Sequence, residues 1–443
     1  MRPADSTCQA SAIASRADTA LWHPFADMAA VRGNELVITR GEGIWIYDAD
    51  GNRYLDASAS LWYCNVGHGR QEIVDAASRQ MAELETWSIF ADVANPPALE
   101  LAHVLSERAP MDGAKVFFTT GGGDAIDTAA KLARLYWQAA GAERMHIVSR
   151  VGSYHGTMGF GTSIGGIEAN RVGYGLLVPH TSFVQHDSAG ALREEIERVG
   201  PENVAAFFME PVIGAGGVYP PAPGYIEECA DICRETGVLL VVDAVISGFG
   251  RLGGWFGIER FGVQPDMVTF AKGATSGYLP LGGVLVSERV AAPFWSEPGR
   301  MVRHGQTYSG HATACAAALA NIAIMERENL IPRGRELEDV LFDALAPLQE
   351  HPLVGEVRGG VGLMAAVAFD PAVLESDAGL PGKAYKAIRQ HGVILRALAR
   401  EVAISPPLTI SPDEIKMIAD GVRAGLDTLV ETGQVAIPQE AAP

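Results

Sequence analysis

The stretch Gly237-Val238-Leu239-Leu240-Val241-Val242-Asp243 is a short apolar run that ends on an aspartate. A run of this length and composition is typical of a strand that is buried on both faces, as in a parallel sheet. A second short run, 267–270, follows after a loop, and Lys272 lies two residues beyond its end. We therefore expect Asp243 and Lys272 to follow two buried strands of one sheet.

Short apolar strands alternate with helical patterns on both sides of this stretch, from about residue 71 to residue 325. The predicted strands are 115–118, 146–149, 205–209, 238–242, 267–270 and 283–286, and the clearest helices are 73–84, 124–137 and 225–234. This alternation indicates an α/β fold with a mostly parallel sheet that helices cover on both faces. Ligands of open α/β sheets bind at the carboxyl ends of the strands. We therefore expect Asp243, Lys272, the glycines at 121–123 and Tyr154 to meet at one edge.

The two ends of the chain have different patterns. Residues 1–20 are predicted to be a loose arm, and an antiparallel unit follows, with short strands at 36–38, 43–47 and 54–55 and a hairpin turn at 48–52. The C-terminal part combines a long helix, 335–348, short strands at 362–369 and 393–395, and a last helix, 413–429. The predicted division is an N-terminal arm with strands that join the small domain (1–70), a large domain (71–327) and a C-terminal small domain (328–443).

Length and composition narrow the class of protein. A chain of 443 residues exceeds what a single core usually supports, which favours two domains. The formal charge of −19 argues against binding nucleic acids or anionic membranes, which require clustered Lys and Arg. No stretch is apolar enough for a signal peptide or a transmembrane helix, and the five cysteines fit a reducing compartment, so we expect a cytoplasmic location. Cys229 and Cys233 share a helix face without a second Cys or His pair, so we predict core contacts and no metal.

Lys272 lies in the segment Thr269-Phe270-Ala271-Lys272-Gly273-Ala274, among apolar or small neighbours. An apolar setting lowers the pKa of a lysine, and the neutral amine can attack a carbonyl to form a Schiff base. Asp243 would be costly to bury at a strand end without a cationic partner, and the protonated ring nitrogen of pyridoxal phosphate is such a partner. A surface lysine and a turn-capping aspartate are the alternatives if each residue is considered alone.

A glycine loop, Phe117-Phe118-Thr119-Thr120-Gly121-Gly122-Gly123-Asp124, connects a predicted strand to a predicted helix. Backbone N–H groups and the helix dipole at such a junction favour a phosphate group. The dinucleotide site of an NAD-linked oxidoreductase is the competing interpretation, although the Gly-x-Gly-x-x-Gly spacing is not present. Tyr154 follows the next strand and could stack on a flat cofactor ring, with a core tyrosine as the alternative.

Taken together, these segments resemble the class III, or ω-, aminotransferases, which are pyridoxal-phosphate enzymes of fold type I. The similarity extends from residue 21 to residue 408 and includes Leu61-Trp62-Tyr63-Cys64-Asn65-Val66-Gly67-His68-Gly69, Tyr154-His155-Gly156, Glu210-Pro211, the segment 243–251, Phe270-Ala271-Lys272-Gly273 and Thr307-Tyr308-Ser309-Gly310-His311. The resemblance implies a large α/β domain with a mostly parallel, seven-stranded sheet, a small α+β domain, and pyridoxal 5′-phosphate as the cofactor.

The resemblance also implies roles around the cofactor ring. Lys272 corresponds to the Schiff-base lysine and proton shuttle, and Asp243 to the partner of the pyridinium nitrogen. Tyr154 stacks on one ring face, with His155 beside it among the cofactor-binding residues. Val245 packs on the other face.

Further implied roles concern the phosphate and the substrate. Gly122 and Gly123 hold the phosphate through backbone N–H groups, and Thr307 reaches the phosphate of the partner subunit. The active unit is then at least a homodimer with shared sites, and a tetramer stays open. Trp62 lines the substrate pocket, and Phe90 is expected to line the pocket of the partner.

The substrate side of the family match includes one arginine and one small residue. Arg396 matches the mobile arginine that binds a substrate carboxylate, with Arg400 as a possible substitute and an exposed strand charge as the alternative. Ala215 stands where the ornithine and GABA branches have a glutamate, which resembles the amine:pyruvate branch. Two positions depart from the family pattern: Gly123, where a serine is common, and Ala244, where a glutamate is usual.

The implied reaction moves an amino group from an amine or ω-amino acid to a keto acid, with pyruvate as the expected acceptor, by ping-pong kinetics. An aminomutase or a decarboxylase of the same fold, and a pyridoxal-phosphate-binding protein without activity, are the alternatives. The physiological donor stays open among β-alanine, taurine, diamines and aryl amines. The expected partners are therefore small amines, keto acids and a second copy of the chain.

Overall fold

The computed structural model describes residues 20–296 and 298–435. The predicted N-terminal arm, 1–20, therefore lies outside the described residues except for its last residue. The strands, in chain order, are β1 (Ile38–Glu42), β2 (Trp45–Asp48), β3 (Arg53–Asp56), β4 (Lys115–Thr119), β5 (His146–Arg150), β6 (Thr181–Val184), β7 (Val204–Met209), β8 (Leu239–Asp243), β9 (Met267–Phe270), β10 (Gly282–Val286), β11 (Val354–Arg358), β12 (Ala365–Phe369), β13 (Val393–Ile394), β14 (Arg396–Ala397) and β15 (Glu401–Ile404).

Helices connect most of these strands. The α-helices are α1 (Met28–Val31), α2 (Gln71–Glu83), α3 (Pro96–Glu107), α4 (Gly122–Ala139), α5 (Gly159–Ile164), α6 (Ala189–Val199), α7 (Tyr225–Thr236), α8 (Glu288–Trp295), α9 (Ala312–Arg327), α10 (Arg333–Glu336), α11 (Glu338–Leu345), α12 (Pro371–Ser376), α13 (Leu380–Gln390) and α14 (Pro412–Glu431). Short 3₁₀ helices lie at Glu168–Asn170, Pro201–Asn203, Ile258–Phe261, Lys272–Ala274 and Ala346–Glu350. Within the described residues, no helix has both the length and the apolar composition needed to cross a membrane.

The central sheet has seven strands in the order β4-β10-β9-β8-β7-β5-β6. The pairs from β9 through β8, β7 and β5 to β6 are parallel, whereas β10 is antiparallel to both of its neighbours. Leu240 and Val242 of β8 pack into one apolar core, and Leu239 and Val241 pack into another. The two cores show that both faces of the sheet are covered, which confirms the predicted mostly parallel α/β architecture.

Two smaller sheets combine the ends of the chain. Strands β1, β2 and β3 form the predicted antiparallel unit, and β13 joins it in parallel with β3. Strands β11, β12, β15 and β14 form a second, antiparallel sheet. The N-terminal strands therefore pair with a strand from residues 328–435, as the sequence predicted.

The predicted long helix at 335–348 is wrong in its continuity. The structure divides this segment into α10, α11 and the 3₁₀ helix Ala346–Glu350. Leu337 leaves the helical region with φ −103° and ψ 0°, and Pro347 has no N–H group to continue the helix. Gly334 in α10 also approaches the 250–251 loop so closely that a Cβ atom would lie 2.0 Å from the Gly250 carbonyl oxygen. Tertiary packing thus overrides an apolar periodicity that favours one helix.

A buried arginine joins three distant segments behind the central sheet. The Arg251 Nη1 atom donates to the carbonyl oxygens of Leu363 and Pro406, at 3.0 and 2.6 Å, and Nη2 donates to Asn65 Oδ1 at 3.0 Å. The Asn65 side chain in turn donates to the carbonyl oxygen of Phe249 at 2.8 Å. These bonds fasten the segment after β3 and the C-terminal segments to the loop that follows Asp243.

Candidate active site

A cavity of about 240 Å³ opens at the carboxyl ends of the parallel strands. The cavity is lined by all seven residues that are predicted to bind the cofactor within one subunit. Residues without a predicted role complete the lining. The predicted residues are Gly122, Gly123, Tyr154, His155, Asp243, Val245 and Lys272, and the others are Ile126, Gly156, Thr157, Met158, Glu210 and Ile246. The strand-end argument therefore placed the main groups correctly at one edge of the sheet.

Asp243 is the last residue of β8 and is almost completely buried. Its Oδ1 atom accepts hydrogen bonds from the backbone N–H of Val245 and the hydroxyl of Thr269, both at 3.1 Å. Its Oδ2 atom accepts from His155 Nδ1 at 2.8 Å. Thr269 lies directly opposite Asp243 in the β8–β9 ladder. The carboxylate is thus held from two strands and from the imidazole, which fixes its orientation toward the cavity.

Lys272 begins a 3₁₀ turn that follows β9 directly. Its backbone adopts φ 40°, a conformation that is strained for any residue other than glycine. Burial lowers the pKa of the Lys272 ammonium, while the carboxylates of Asp243 and Glu210 oppose that shift. A lowered pKa is the direction that the apolar sequence neighbourhood predicted, because burial disfavours the charged form of the amine.

The glycine loop places the start of α4 at the cavity. Gly121 precedes the helix, and the first intrahelical bond runs from the Ala125 N–H to the Gly121 carbonyl oxygen. The N–H groups of Gly122 and Gly123 belong to the first turn, where α-helical N–H groups have no partner within the helix. A Cβ atom at Gly122 would lie 2.9 Å from Val245 Cγ1, so glycine is needed for this close approach. The arrangement suits a phosphate group.

Glu210 is a charged residue of the cavity to which the sequence assigned no role. It follows β7 immediately, and its two carboxylate oxygens accept from the Tyr154 and Gly214 N–H groups, each at 3.0 Å. Burial raises the pKa of Glu210, and the nearby Asp243 adds to that rise, whereas His155 opposes it. Because it follows a buried strand as Asp243 does, the same strand-end argument could have identified it.

Tyr154 and Arg396 approach the cavity from different parts of the chain. Burial raises the pKa of the Tyr154 hydroxyl, Asp243 adds to the rise, and the positive charge of Arg396 opposes it. Arg396 is in strand β14, and it is partly buried, whereas Arg400 is exposed. The electrostatic influence on Tyr154 places Arg396 near the site, although it does not line the 240 Å³ cavity.

Trp62 and Ala215 lie behind and beside the cavity wall. Trp62 is 3% exposed and packs in one apolar cluster with Ile246, which lines the cavity. Ala215 is partly buried in the loop after β7. Arg358 fastens this loop by donating from Nη2 to the Gly217 carbonyl oxygen at 2.7 Å. The structure therefore places Trp62 in the apolar cluster that includes the cavity-lining Ile246, and not in the cavity lining itself.

Phe90 and Thr307 are not at the Lys272 cavity. Phe90 lines a separate cavity of about 640 Å³ together with Gly305 and Ser309, which flank the exposed Thr307 in sequence. Both residues were expected to act in the site of a partner subunit. Their role in the site of a partner stays a prediction.

The two departures from the family pattern have different surroundings. Ala244 is fully buried in the main apolar core and does not line the cavity. Gly123 lines the cavity, and a Cβ atom there would lie 3.1 Å from Cγ of Met158, whose side chain is partly exposed. Met158 therefore occupies space beside the position of the missing hydroxyl.

The chemistry of the cavity lining fits pyridoxal phosphate. Helix N–H groups are suited to a phosphate, the fixed Asp243 carboxylate to a protonated ring nitrogen, and the Lys272 amine to an aldehyde. A side chain at Gly122 would collide with Val245, so glycine keeps the first turn of α4 free of a side chain at this point of the cavity lining. The expected cofactor and the observed donor set therefore agree.

Comparisons with known proteins point to the same chemistry. Residues 28–426 match the family model described as aminotransferase class-III. A putrescine–pyruvate aminotransferase from Pseudomonas aeruginosa is 38% identical over 414 residues, which cover 88% of this chain and 90% of the relative. A diaminobutyrate–2-oxoglutarate transaminase from Halomonas elongata is 36% identical over 414 residues, which cover 86% and 88% of the two chains.

Solved structures are similar over almost the whole chain. A thermostable (S)-enantioselective ω-transaminase from Thermomicrobium roseum has a TM-score of 0.90 and 40% identity, covering 95% of this chain and 99% of that one. A PLP-bound amine transaminase from an uncultivated Pseudomonas species has a TM-score of 0.88 and 36% identity. The match covers 93% of this chain and 99% of that one. The fold is therefore that of PLP-dependent transaminases. From the family match, these identities and this coverage, we conclude that the chain belongs to the class-III aminotransferase family, whose members use pyridoxal phosphate.

Proposed function

We propose that this aminotransferase moves an amino group from an amine or ω-amino acid donor to pyruvate. The observation on which the proposal depends is the shared cavity of Lys272 and Asp243, whose strands are neighbours in the sheet. An amine of lowered pKa beside a fixed carboxylate and a helix N-terminus is the donor set that amino-group transfer requires. The name of the putrescine–pyruvate relative supports pyruvate as the acceptor.

Pyridoxal phosphate supplies an aldehyde that condenses with amines and a cationic ring that accepts electrons. In the proposed mechanism, Lys272 Nζ removes the proton from the donor carbon and later returns a proton, since a neutral amine is a competent general base. Asp243 presents its carboxylate to the ring nitrogen, and His155 and Thr269 hold it in place. Tyr154 and Val245 confine the ring, and Gly122 and Gly123 bind the phosphate through N–H groups.

The acceptor carboxylate requires a cation on the substrate side. We assign this role to Arg396, because its charge reaches Tyr154 and because guanidinium binds carboxylate with two parallel hydrogen bonds. Trp62 and the small Ala215 are proposed to shape the donor pocket. A relative that uses 2-oxoglutarate makes that keto acid the competing acceptor.

We also propose that the active unit is a homodimer with shared sites. Phe90 lines the 640 Å³ cavity, as do Gly305 and Ser309 on either side of the exposed Thr307 in sequence, and neither Phe90 nor Thr307 lines the Lys272 cavity of its own chain. In the proposed dimer, Thr307 and Phe90 complete the site of the partner. The domain division 1–70, 71–327 and 328–443 and a reducing, cytoplasmic setting belong to the same proposal. The setting is supported by the four cysteines within the described residues, which are free and buried.

A donor panel tests the function. Diamines, β-alanine, taurine and aryl amines are each incubated with added pyridoxal phosphate and either pyruvate or 2-oxoglutarate, and alanine and glutamate are quantified. Alanine formation with at least one donor is the expected result. Glutamate without alanine would replace pyruvate by 2-oxoglutarate, and carbon dioxide release or an isomerised donor without either amino acid would favour a decarboxylase or an aminomutase.

A further inference from the structure

The segment 58–62 is the most strained part of the backbone near the active site, and we name it the 58–62 turn. Ala59, Ser60 and Trp62 have φ values of 45°, 60° and 66°, although none of them is a glycine. Ser60 combines its positive φ with ψ −87°, so the turn is not helical despite its short-range hydrogen bonds. Side chains disfavour this conformation, and it persists only where the surroundings enforce it.

The carboxylate of Asp56 enforces the conformation of the turn. Asp56 is the last residue of β3 and has no exposed surface. Its Oδ1 atom accepts from the backbone N–H and the hydroxyl of Ser58, at 3.1 and 3.3 Å, and its Oδ2 atom accepts from the Ser60 N–H at 2.7 Å. Three donors of the turn thus converge on one buried side chain.

His68 supplies the fourth hydrogen bond and fixes the carboxylate. Its Nε2 atom donates to Asp56 Oδ2 at 2.9 Å, while Nδ1 lies 3.5 Å from Cys64 Sγ. The backbone of His68 pairs with Gly43 in both directions. Gly41 packs against the imidazole so closely that a Cβ atom there would lie 2.7 Å from His68 Cγ. Strand β1 and the residue that follows it therefore hold the imidazole in place.

The 58–62 turn connects this pair to the substrate side of the active site. Trp62, at its end, packs in one cluster with Ile246, which lines the Lys272 cavity. The chain then continues into contact with the lysine loop, where the Val66 N–H donates to Ser276 Oγ at 3.3 Å. Asn65 also packs on Gly273, beside Lys272, where a Cβ atom would lie 2.6 Å from Asn65 Nδ2. A shift of the turn would therefore move Trp62 and disturb the apolar cluster that includes the cavity-lining Ile246.

We infer that Asp56 and His68 are positioning residues that hold the 58–62 turn in its strained form and thereby set how large an amine donor the Trp62 wall admits. The inference rests on the proposed function, in which Trp62 shapes the donor pocket. Neither residue touches the cofactor or the reacting atoms. Their effect is on donor selectivity, and the second half-reaction, with the keto acid, proceeds independently of them.

The test compares kcat/KM for a bulky aryl amine with that for a small alkyl amine, at saturating pyruvate and with added pyridoxal phosphate. In Asp56→Asn, an NH₂ group replaces a carboxylate oxygen that accepts hydrogen bonds, so it faces another hydrogen-bond donor. The turn then relaxes, and Trp62 moves away from the cavity. We expect the bulky-to-small ratio to rise about tenfold, the discrimination that a methylene-sized change in an apolar pocket produces. We expect the KM for pyruvate to stay within twofold of wild type.

Asp48→Asn is the matched control. Asp48 is also buried at a strand end and also accepts four hydrogen bonds, from the Asp50 and Asn52 N–H groups, the Asn52 amide and the Tyr54 hydroxyl. It holds the 48–52 hairpin turn, away from Trp62. This variant should keep the wild-type ratio. The inference would be overturned if the bulky-to-small ratio of kcat/KM in Asp56→Asn were unchanged or lower than in wild type. An equal rise of that ratio in Asp48→Asn would also overturn it.

Ser60→Gly provides a second route if Asp56→Asn does not fold. Glycine removes the conformational penalty without changing the carboxylate, so the turn is no longer confined to one form. The ratio should rise in the same direction, and an unchanged ratio would contradict the inference. Wild-type protein that forms no alanine from any donor would instead refute the proposed function, so the two failures are distinguishable.

Discussion

The two sides of the active site are built in different ways. The proposed cofactor side consists of Gly122, Tyr154, Asp243 and Lys272, each of which lies at or after the end of a strand of the one central sheet. The proposed substrate side combines Trp62 from the strained turn, Ala215 from a loop and Arg396 from a strand of the C-terminal sheet. A single sheet fixes the reactive groups relative to one another, whereas the substrate wall depends on packing between separate units. Changes on the cofactor side should therefore affect every substrate, and changes on the substrate side should discriminate between substrates.

Replacement of the cavity lysine tests this comparison with the largest expected effect. Lys272→Ala removes the amine that moves the proton, so turnover should fall by roughly 10⁴-fold for every donor and acceptor. Alanine formation from several donors with pyruvate measures it. Lys416→Ala changes an exposed lysine paired with Asp420 and should retain full activity. Turnover of Lys272→Ala within tenfold of wild type would be incompatible with the proposed mechanism.

The second-largest effect is expected from a change at the Asp243 carboxylate. Asp243→Asn keeps the shape of the side chain but removes the charge, so kcat should fall by roughly 10²- to 10³-fold for all substrates alike. Steady-state kinetics with two donors and pyruvate provide the measurement. Asp266→Asn changes a partly buried aspartate that directly precedes β9 and accepts from the Leu240 N–H at 2.9 Å, so it should lower stability rather than kcat. A loss confined to one donor would argue against a role at the cofactor.

The substrate side should show selective losses. Arg396→Ala removes hydrogen bonds to a carboxylate worth about 1.5–3 kcal/mol, so the KM for pyruvate should rise roughly 10- to 100-fold. The KM for a simple amine, which has no carboxylate, should change little. Arg400→Ala is the control, because Arg400 is exposed. An equal rise for amine and pyruvate, or a larger effect at Arg400, would remove Arg396 from the acceptor site.

The lowered pKa of Lys272 predicts a pH dependence of stability. Between that lowered value and the ordinary 10.5, the folded protein binds fewer protons than the unfolded chain, so its stability rises with pH. Lys272→Met lacks this dependence, so its stability advantage over wild type should shrink by up to about 1.4 kcal/mol per pH unit in that window. Unfolding of the cofactor-free proteins from pH 7 to 10, at fixed concentration, measures the difference. A gap that does not shrink across this range would contradict a lowered lysine pKa.

The smallest expected effect concerns the phosphate. Gly123→Ser supplies one neutral hydrogen bond, worth about 1 kcal/mol, so the Kd of pyridoxal phosphate should fall about fivefold. The partly exposed Met158 can move aside from the new Cβ atom. Gly122→Ser should weaken binding instead, because its Cβ atom would meet the branched Val245 at 2.9 Å. Equal effects at the two glycines in a cofactor titration would contradict this distinction.

The order of the buried strands along the chain explains how much of the site could be predicted. Asp243 and Lys272 lie at or after the ends of short apolar runs that the sequence identifies as strands. Parallel pairing of these strands brings their carboxyl ends together. Glu210 follows β7 in the same way, and the sequence places its loop at the same sheet edge without assigning it a chemical role. The break at Leu337 could not be predicted, because the apolar periodicity continues across it while packing of Gly334 against residues 250–251 interrupts the helix.

The sequence by itself determined the α/β class and the positions of Lys272 and Asp243 at the ends of neighbouring strands, because local apolar patterns specify buried strands. Only the tertiary structure decided what surrounds them. It placed Ala244 in the core rather than at the cavity, and it separated Thr307 and Phe90 from the Lys272 of their own chain. It also strained the 58–62 turn over the buried Asp56. These features depend on contacts between residues far apart in the chain, which no local pattern encodes.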